Sequence, residues 1–368
     1  MKLPTLYGLD SKGGVKVWEV EPTSTGFTVS HGKLGGKIQV KHTVCKPKNI
    51  GRANETTIEG QGAKEALAKW QKQIDKGYVV NQEVLEEAPL VLNPMLAMDY
   101  NKNGHRIDYG LTGGVYCQPK LDGVRCEAYL DEGGELVFKS RGGKFYSVPT
   151  QIHNEMIHLF AAEPCTHLDG ELYIHGESLQ DIVSAVKKPN ELTPKLEFHC
   201  FDIASEGPIW LSRMASLECL DSKYSGDFLV FVQGSFVASE EQMYELHDEY
   251  VEQGYEGVMV RQGNGGYRYN YRSPALQKFK KMQDEEFEII GHEVDKDGCI
   301  VWVISVPSSS GELTCKVTPK MTKQKRKDLV EVAKLYYGKL LKVQFQSKTD
   351  SGNLQFPIGI ELDRTDNR

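Results

Sequence analysis

One lysine stands apart from the other cations of the chain. Lys120 follows a strand-like run and Pro119, and it precedes Leu121-Asp122-Gly123-Val124-Arg125, a turn that opens onto a second strand. A lysine amine attacks an electrophile only when deprotonated, and desolvation or neighbouring cations lower its pKa. Two further lysines, Lys278 and Lys280, hold alternate positions in Gln277-Lys278-Phe279-Lys280-Lys281, so a strand there puts both on one face. That pair can bind a phosphate and depress the pKa of Lys120. Leu168-Asp169-Gly170-Glu171-Leu172 and Tyr255-Glu256-Gly257-Val258-Met259-Val260-Arg261 each set a carboxylate beside a glycine and an apolar strand. Such acids are costly unless paired or metal-bound. Glu171 and Glu256, with phosphate oxygens and water, suit a Mg2+ (or Mn2+) site. Arg141, in Lys139-Ser140-Arg141-Gly142-Gly143, carries the planar fork that grips phosphate. Taken singly, each residue has an ordinary alternative: a hairpin lysine in solvent, a satisfied acid at a strand end, a turn arginine.

The elements that must position these residues are legible in outline. Val124–Leu130 and Glu135–Ser140 alternate around Asp131-Glu132-Gly133-Gly134, the pattern of a β-hairpin, and Gly114–Pro119 reads as the end of a strand. Ser239 and Gln242 stand at capping-box spacing before a helix with Met243, Leu246, Tyr250 and Val251 on one face, and Gly254 stops it. Near the N-terminus, Val15–Val20 and Gly26–Ser30 alternate as strands. From Ala63 to Lys76 the period turns helical, with Ala66, Leu67, Trp70 and Ile74 on one face and Gly77 at the C-cap. Residues 81–95 are acidic and Pro-containing and read as a linker. The last ~85 residues give strands at Phe287–His292, Ile300–Val306, Leu313–Val317 and Leu341–Gln346, with a basic helix from about Thr322 to Tyr336: the pattern of a small barrel. The whole is α+β with mostly antiparallel sheets.

Composition excludes several classes. The 368 residues are 39% hydrophobic and 26% charged, ordinary for a globular protein of two or three domains. No run approaches the ~18 apolar residues of a membrane span, and Met1-Lys2-Leu3-Pro4-Thr5 lacks a signal-peptide core. The eight cysteines form no Cys-x-x-Cys pair, which points to reduced, intracellular thiols and not to a zinc ribbon or disulfide framework. Net charge is −7, but residues 1–80 carry +6 and the remainder −13. A second basic run covers Lys320-Met321-Thr322-Lys323-Gln324-Lys325-Arg326-Lys327. Such patches can dominate the field at one face and bind nucleic acid, or can be solvated helix faces.

In chain order the chemical segments resemble the motifs of the covalent nucleotidyltransferase superfamily: ATP-dependent DNA ligases, RNA ligases and mRNA capping enzymes. Lys120 to Arg125 matches the nucleotidyl-lysine motif, and Ser140-Arg141-Gly142 the arginine motif that follows. Asp169-Gly170-Glu171 matches the third motif and Phe198-His199-Cys200-Phe201-Asp202 the aromatic one. Glu256 to Arg261 and Gln277 to Lys280 match the last two. The wording is most similar to a small, bacteriophage-type ATP-dependent DNA ligase. The resemblance implies an antiparallel-sheet adenylation domain (ATP-grasp-like nucleotidyltransferase) over residues 95–282 and a C-terminal OB-fold β-barrel over 283–368. Residues 1–82 resemble a small α+β WGR domain, joined by a linker at 83–94. It implies an intracellular monomer, compatible with a virus-encoded protein acting in host cytoplasm, that seals nicks in duplex DNA with ATP and Mg2+ and serves replication, repair or recombination.

Roles follow from the resemblance. Lys120, flanked by Asp122, would attack the α-phosphate of ATP; Lys278 and Lys280 would grip that phosphate; Glu171 and Glu256 would hold or approach the metal and the ribose. Arg125 and Arg141 would contact the ribose and the nick phosphates. Phe198 would stack on adenine, with Val258 or Met259 closing the other side and Pro119 beside the base. Gln118 stands where many DNA ligases have a glutamate reading the adenine amino group, and its amide oxygen can accept the same hydrogen bond. Lys33 and Arg52 in the N-terminal module, and Lys320, Lys323, Lys325 and Arg326 in the barrel, would meet DNA phosphates. Two signatures are altered. His31-Gly32-Lys33-Leu34-Gly35-Gly36 replaces Trp-Gly-Arg-x-Gly, and around Gln355-Phe356-Pro357 the family's terminal arginine motif keeps only Phe-Pro and Arg364. An RNA ligase, a capping guanylyltransferase and a non-catalytic nucleic-acid binder remain the alternatives.

Overall fold

The computed structural model describes residues 3–10, 13–85, 92–295, 297–308, 311–349 and 352–362. The linker residues 86–91 and Arg364 lie outside them. The chain divides into two compact units, Met1–Lys278 and Phe279–Arg368.

The first unit begins with β1 (Leu6–Leu9), β2 (Val15–Thr23), β3 (Gly26–Lys33) and β4 (Ile38–Val44), an antiparallel sheet in chain order, and α1 (Ile58–Ile74). Thr57 Oγ1 accepts the Gly60 N–H at 3.1 Å and caps that helix. Leu6, Trp18, Val20, Phe27, Cys45 and Ala66 are buried together, with Trp70 and Ile74 against them. Leu67, expected on the same face, is 53% exposed. The helix starts five residues earlier than its periodicity suggests, and the row Gly62-Ala66-Trp70, spaced by four, faces the sheet instead.

Two five-stranded sheets follow. Their elements are β5 (Leu96–Asp99), α2 (Tyr100–Asn103), β6 (Val115–Lys120), β7 (Val124–Leu130), β8 (Leu136–Ser140), α3 (Thr150–Ala162), β9 (His167–Tyr173), α4 (Leu179–Lys187), β10 (Glu197–Ile203), α5 (Trp210–Tyr224), β11 (Leu229–Phe231), β12 (Ser235–Val237), α6 (Glu240–Glu252), β13 (Gly257–Gln262) and β14 (Arg272–Phe279). One sheet runs β11-β10-β9-β7-β8 and the other β12-β6-β13-β14-β5. β10–β11 and β5–β14 pair in parallel, while β6–β13, β7–β8, β7–β9 and β9–β10 are antiparallel. The β7–β8 turn forms as its residues dictate, with Asp131 Oδ1 accepting from Gly133 N and Glu135 N at 2.9 and 3.0 Å. At α6, Ser239 Oγ accepts from Gln242 N at 3.3 Å, but Gln242 Oε1 accepts from Ala238 N, so the capping box is not closed on Ser239. Alternation sends Cys126, Ala128, Leu168, Leu172, Phe198 and Cys200 into one core with Ile152, Met156, Leu159 and Leu217 of the helices. Arg125, Asp169, Glu171 and Phe201 have the opposite parity.

The second unit holds β15 (Gln283–Val294), β16 (Ile300–Ser308), β17 (Gly311–Pro319), α7 (Lys323–Val332), β18 (Leu340–Phe345) and β19 (Ile358–Leu362), and its strands close as a barrel in the order β15-β16-β17-β19-β18. Phe287, Ile289, Trp302, Ile304, Val306, Val317, Leu341, Val343 and Phe345 fill it. Thr322 caps α7, whose last expected turn, Ala333–Tyr336, is 3-10. Among the described residues no helix is long and apolar enough to cross a membrane, and all eight cysteines are free thiols.

Candidate active site

A cavity of about 410 Å³ is lined from both five-stranded sheets: Gln118, Pro119 and Lys120 of β6, Arg125 of β7, Glu171 of β9, Phe201 of β10, Met259 and Arg261 of β13, and Arg272 and Lys278 of β14, with Arg141 just beyond β8. The sequence motifs, up to 158 residues apart between Lys120 and Lys278, therefore share one wall system because they sit at strand ends.

Lys120 ends β6, opposite Gly257 in the register with β13. Its Nζ pairs with the Glu256 carboxylate. Burial lowers the pKa of the amine, while Glu171 and Asp122 pull it the other way. Asp122 itself is exposed in the turn. Glu171 is pushed up to about 7 by burial, against the attraction of Lys120 and Arg125. One of its oxygens accepts the Gly123 N–H at 3.2 Å. Lys278 is exposed, and its pKa is lowered by desolvation and then by Lys120, with Arg272 and Arg141 adding to the effect. Lys280 lies one residue past the end of β14 and does not line this cavity.

Arg125 lines the cavity but its fork is held by Asp169, with Nε to Oδ1 at 2.9 Å and Nη2 to Oδ2 at 2.5 Å, and Tyr267 donates to the same carboxylate at 2.8 Å. The guanidinium lies 5.4 Å from the Phe201 ring centroid. Arg141 is exposed on the loop after β8.

Two expectations for the base are corrected by these positions, and the one for Gln118 is narrowed to its oxygen. Phe198 is fully buried in the helix-covered core, where it packs against Gly170: a Cβ on that glycine would meet the ring at 2.7 Å. Phe201, three residues on and therefore of opposite parity, lines the cavity in its place. Period two separates the two rings without saying which one faces the cavity, and the bulge between Cys200 and Asp202 falls on Phe201 itself. Val258 is fully buried opposite Pro119, and Met259 presents to the cavity. Gln118 does not have a free amide: its Nε2 donates to Phe201 O at 3.0 Å and Val232 O at 2.7 Å, and its Oε1 accepts from Arg261 Nε at 2.7 Å. Arg261 and Arg272 are cavity residues that motif reading passes over. The pairing of β14 with β5 is irregular between Ser273 and Gln277, so parity counted from Lys278 does not find Arg272.

The remaining basic residues lie elsewhere. Lys33 ends β3 and pairs with Asp10 at 2.9 Å; Arg52 is exposed in a turn. Lys320 and Lys325 are exposed, and Lys323 pairs with Asp297 at 3.1 Å. Arg326 is corrected as a phosphate contact: its guanidinium donates to Asp295 at 2.7 Å and to Ile300 O, tying α7 to the barrel.

Comparison with known proteins gives these residues a family context. The family model of the ATP dependent DNA ligase domain matches residues 94–280. The DNA ligase of African swine fever virus from a Kenyan pig isolate is 28% identical over 342 residues, covering 87% of this chain and 78% of that protein. The DNA ligase of a Malawian tick isolate of the virus matches with the same identity and coverage. Among solved structures, a Lig E DNA ligase superposes with a TM-score of 0.57 at 22% identity, covering 74% of this chain and 100% of that one. A chain designated Pmar-Lig_Pre. superposes with a TM-score of 0.63 at 18% identity, covering 82% and 72%.

Proposed function

The chain belongs to the ATP-dependent DNA ligases, and from that premise we propose how its own residues carry the sealing of a nick in duplex DNA. The family's reaction has three transfers. In this chain the Lys120 amine bonds to the α-phosphorus of ATP as the bond to the bridging oxygen breaks, and pyrophosphate leaves. The adenylyl group then passes to an oxygen of the 5′-phosphate at the nick, and the lysine amine is restored. Last, the 3′-hydroxyl oxygen bonds to that phosphorus and AMP leaves. Each transfer asks the protein to position groups and neutralise charge.

The observation that carries the assignment is the environment of Lys120. Its amine is desolvated, beside an acceptor for its proton in Glu256, and in a cavity whose exposed cations, Lys278, Arg141 and Arg272, suit a polyphosphate. Deprotonation to Glu256 leaves the lone pair for the phosphorus. Phe201 and Met259 offer an aromatic and a thioether surface for the adenine. Glu171 and Glu256 fit the mode in which Mg2+ takes one or two carboxylates and completes its shell with substrate phosphates and water. The burial that raises the Glu171 pKa is the condition a bound cation relieves. Bound there, the ion would neutralise charge on the phosphates.

The substrate we propose is nicked duplex DNA held by a monomer, with Lys320, Lys323 and Lys325 of the barrel, an OB-fold in this reading, on backbone phosphates. Lys33 and Arg52 of the N-terminal module, WGR-like in sequence and +6 over residues 1–80, would add sequence-independent contacts. Intact-mass measurement after incubation with ATP and Mg2+ tests the first transfer. One AMP should be gained, none by Lys120→Ala, and none should come from GTP. A nick-sealing assay with DNA and RNA strands in parallel then tests the substrate. A GMP adduct, or sealing that requires a 2′-hydroxyl, would overturn the reading.

A further inference from the structure

We propose that the loop between β4 and α1 enters the minor groove of duplex DNA, with Ile50 as its apolar tip. This rests on the reading of duplex DNA as the substrate. Two turns shape the loop: Arg52 N donates to Asn49 O, and Glu55 N to Arg52 O, both at 2.9 Å. Asn49 and Gly51 lie in the left-handed region, at φ +56° and +77°. Gly supplies that conformation without steric cost, and Asn visits it. Ile50 stands between them at the second position of the first turn, which takes most residue types and favours Pro. The turn therefore gives no reason for a branched aliphatic side chain, yet Ile50 is there and is 73% exposed.

The tip is braced from below. Glu55 Oε2 accepts the Gly51 N–H at 2.8 Å, so the one acid of residues 46–55 is spent inside the loop. Lys48 and Thr56 exchange backbone hydrogen bonds at the loop's base. Thr56 Oγ1 donates to Gln61 Oε1 at 2.9 Å, and Gln61 Nε2 to Glu65 Oε1 at 2.8 Å. Lys48 Nζ donates to that same oxygen at 3.1 Å, so α1 fastens the loop at its base. A braced tip loses little entropy on docking. The partner follows from charge. Lys46 and Arg52 stand exposed on either side of Ile50 in the chain, in a module that is +6 over residues 1–80. The minor groove of B-DNA is about 6 Å wide. Its walls are sugar carbons and its edges are phosphates. A single aliphatic tip with cations flanking it matches that cross-section.

The test is binding of the full chain to a nicked duplex of A·T pairs ending in a 3′-dideoxynucleotide, which cannot be sealed. Affinity is read by fluorescence anisotropy over a range of salt. Ile50→Ala should weaken binding about tenfold and leave the slope of log K against log salt unchanged. Arg52→Ala should lower that slope by about 1. The comparison is repeated at the lowest salt with the groove filled beforehand by netropsin, where phosphate contacts alone hold the duplex. The wild-type protein and Ile50→Ala should then bind within about twofold of each other. Both substitutions are on the exposed loop, and matching urea midpoints check that the variants fold. Ile50→Ala binding the bare duplex as tightly as the wild-type protein, or a tenfold gap that persists under netropsin, overturns the groove contact while leaving the DNA substrate standing. No binding of the duplex by the wild-type protein overturns the DNA substrate and the contact with it.

Discussion

Two stretches of the cavity wall differ in how their polar groups are spent. Around Gln118, Arg261 and Asp202 the polar side chains bond to other parts of the protein and are at most 3% exposed. Around Lys120, Arg141 and Lys278 three cations gather, of which Lys120 is paired with the Glu256 carboxylate while Arg141 and Lys278 stand exposed. The first arrangement is satisfied without ligand, so it can hold a shape and a hydrogen-bond polarity. The second is unsatisfied without ligand: desolvation, then its neighbouring cations, depress Lys278, and bound phosphates remove that repulsion. One stretch fixes the form of the wall; the other presents charge that a polyphosphate would neutralise.

If that division holds, changes in the first stretch act on stability and changes in the second on rate. Asp202→Ala should have the largest effect. It leaves Arg213 and Arg261 buried without their counter-ion, which costs about 3–5 kcal/mol, read as a fall in the urea midpoint at unchanged slope. A shift under about 1 kcal/mol would mean that water or another acceptor reaches the pair and that the stretch is not closed. Arg141→Ala is the counterpart. Stability should move by no more than about 0.5 kcal/mol, since the side chain is exposed. Sealing should fall about a hundredfold, the worth of a charge-assisted phosphate contact. Equal losses of stability and rate in both variants would erase the distinction.

Much of this second stretch is legible in the sequence, because its chemistry resides in residue types. A lysine before Asp-Gly, acids beside glycines and an arginine in a glycine turn declare themselves one motif at a time. The β7–β8 hairpin is legible for a related reason, since alternation and the Asp131 turn are local. The first stretch is not legible. The carbonyls that hold Gln118 belong to Phe201 and Val232, 83 and 114 positions away, and nothing near Gln118 announces them. Phe198 and Phe201 are equally aromatic, and which one faces the cavity depends on which side of the sheet the helices cover. β19 escapes for the same reason: five residues become a strand only by pairing with β17 and β18. β4 escapes because its side chains are exposed on both faces and carry no clean period.

Titration separates the two stretches from within. Burial raises Glu171 to about 7, so its protonated form is favoured by folding. Its contribution to stability is full below the unfolded value of about 4.3 and is lost as pH rises through about 7. Urea midpoints from pH 5 to 8 should therefore fall more in the wild-type protein than in Glu171→Gln. The same buried surroundings depress Lys120, so adduct formation should climb with pH and level off below the ordinary lysine range near 10.4. A rate still climbing there would mean that the amine is solvated and that burial does not tune it.

The smallest effect is expected where the N-terminal module touches the loop that carries Arg141. Lys144 Nζ lies 3.5 Å from Asp75 Oδ2, and the lysine side chain is 65% exposed. Gly143, at φ +88°, passes so near Asp75 that a Cβ would sit 2.4 Å from its carbonyl oxygen. The contact is thus a steric fit with a weak ion pair beside it. Lys144→Ala should cost under about 1 kcal/mol and leave sealing within about threefold, as exposed pairs do. Gly143→Ala meets both the backbone and the oxygen and should cost about 1–2 kcal/mol. Because the loop must move to admit the methyl, it should slow sealing about tenfold by displacing Arg141. If Lys144→Ala slows sealing more than Gly143→Ala does, the loop is held by charge and not by shape. The cationic stretch would then be set by a neighbouring module as well as by its own strands.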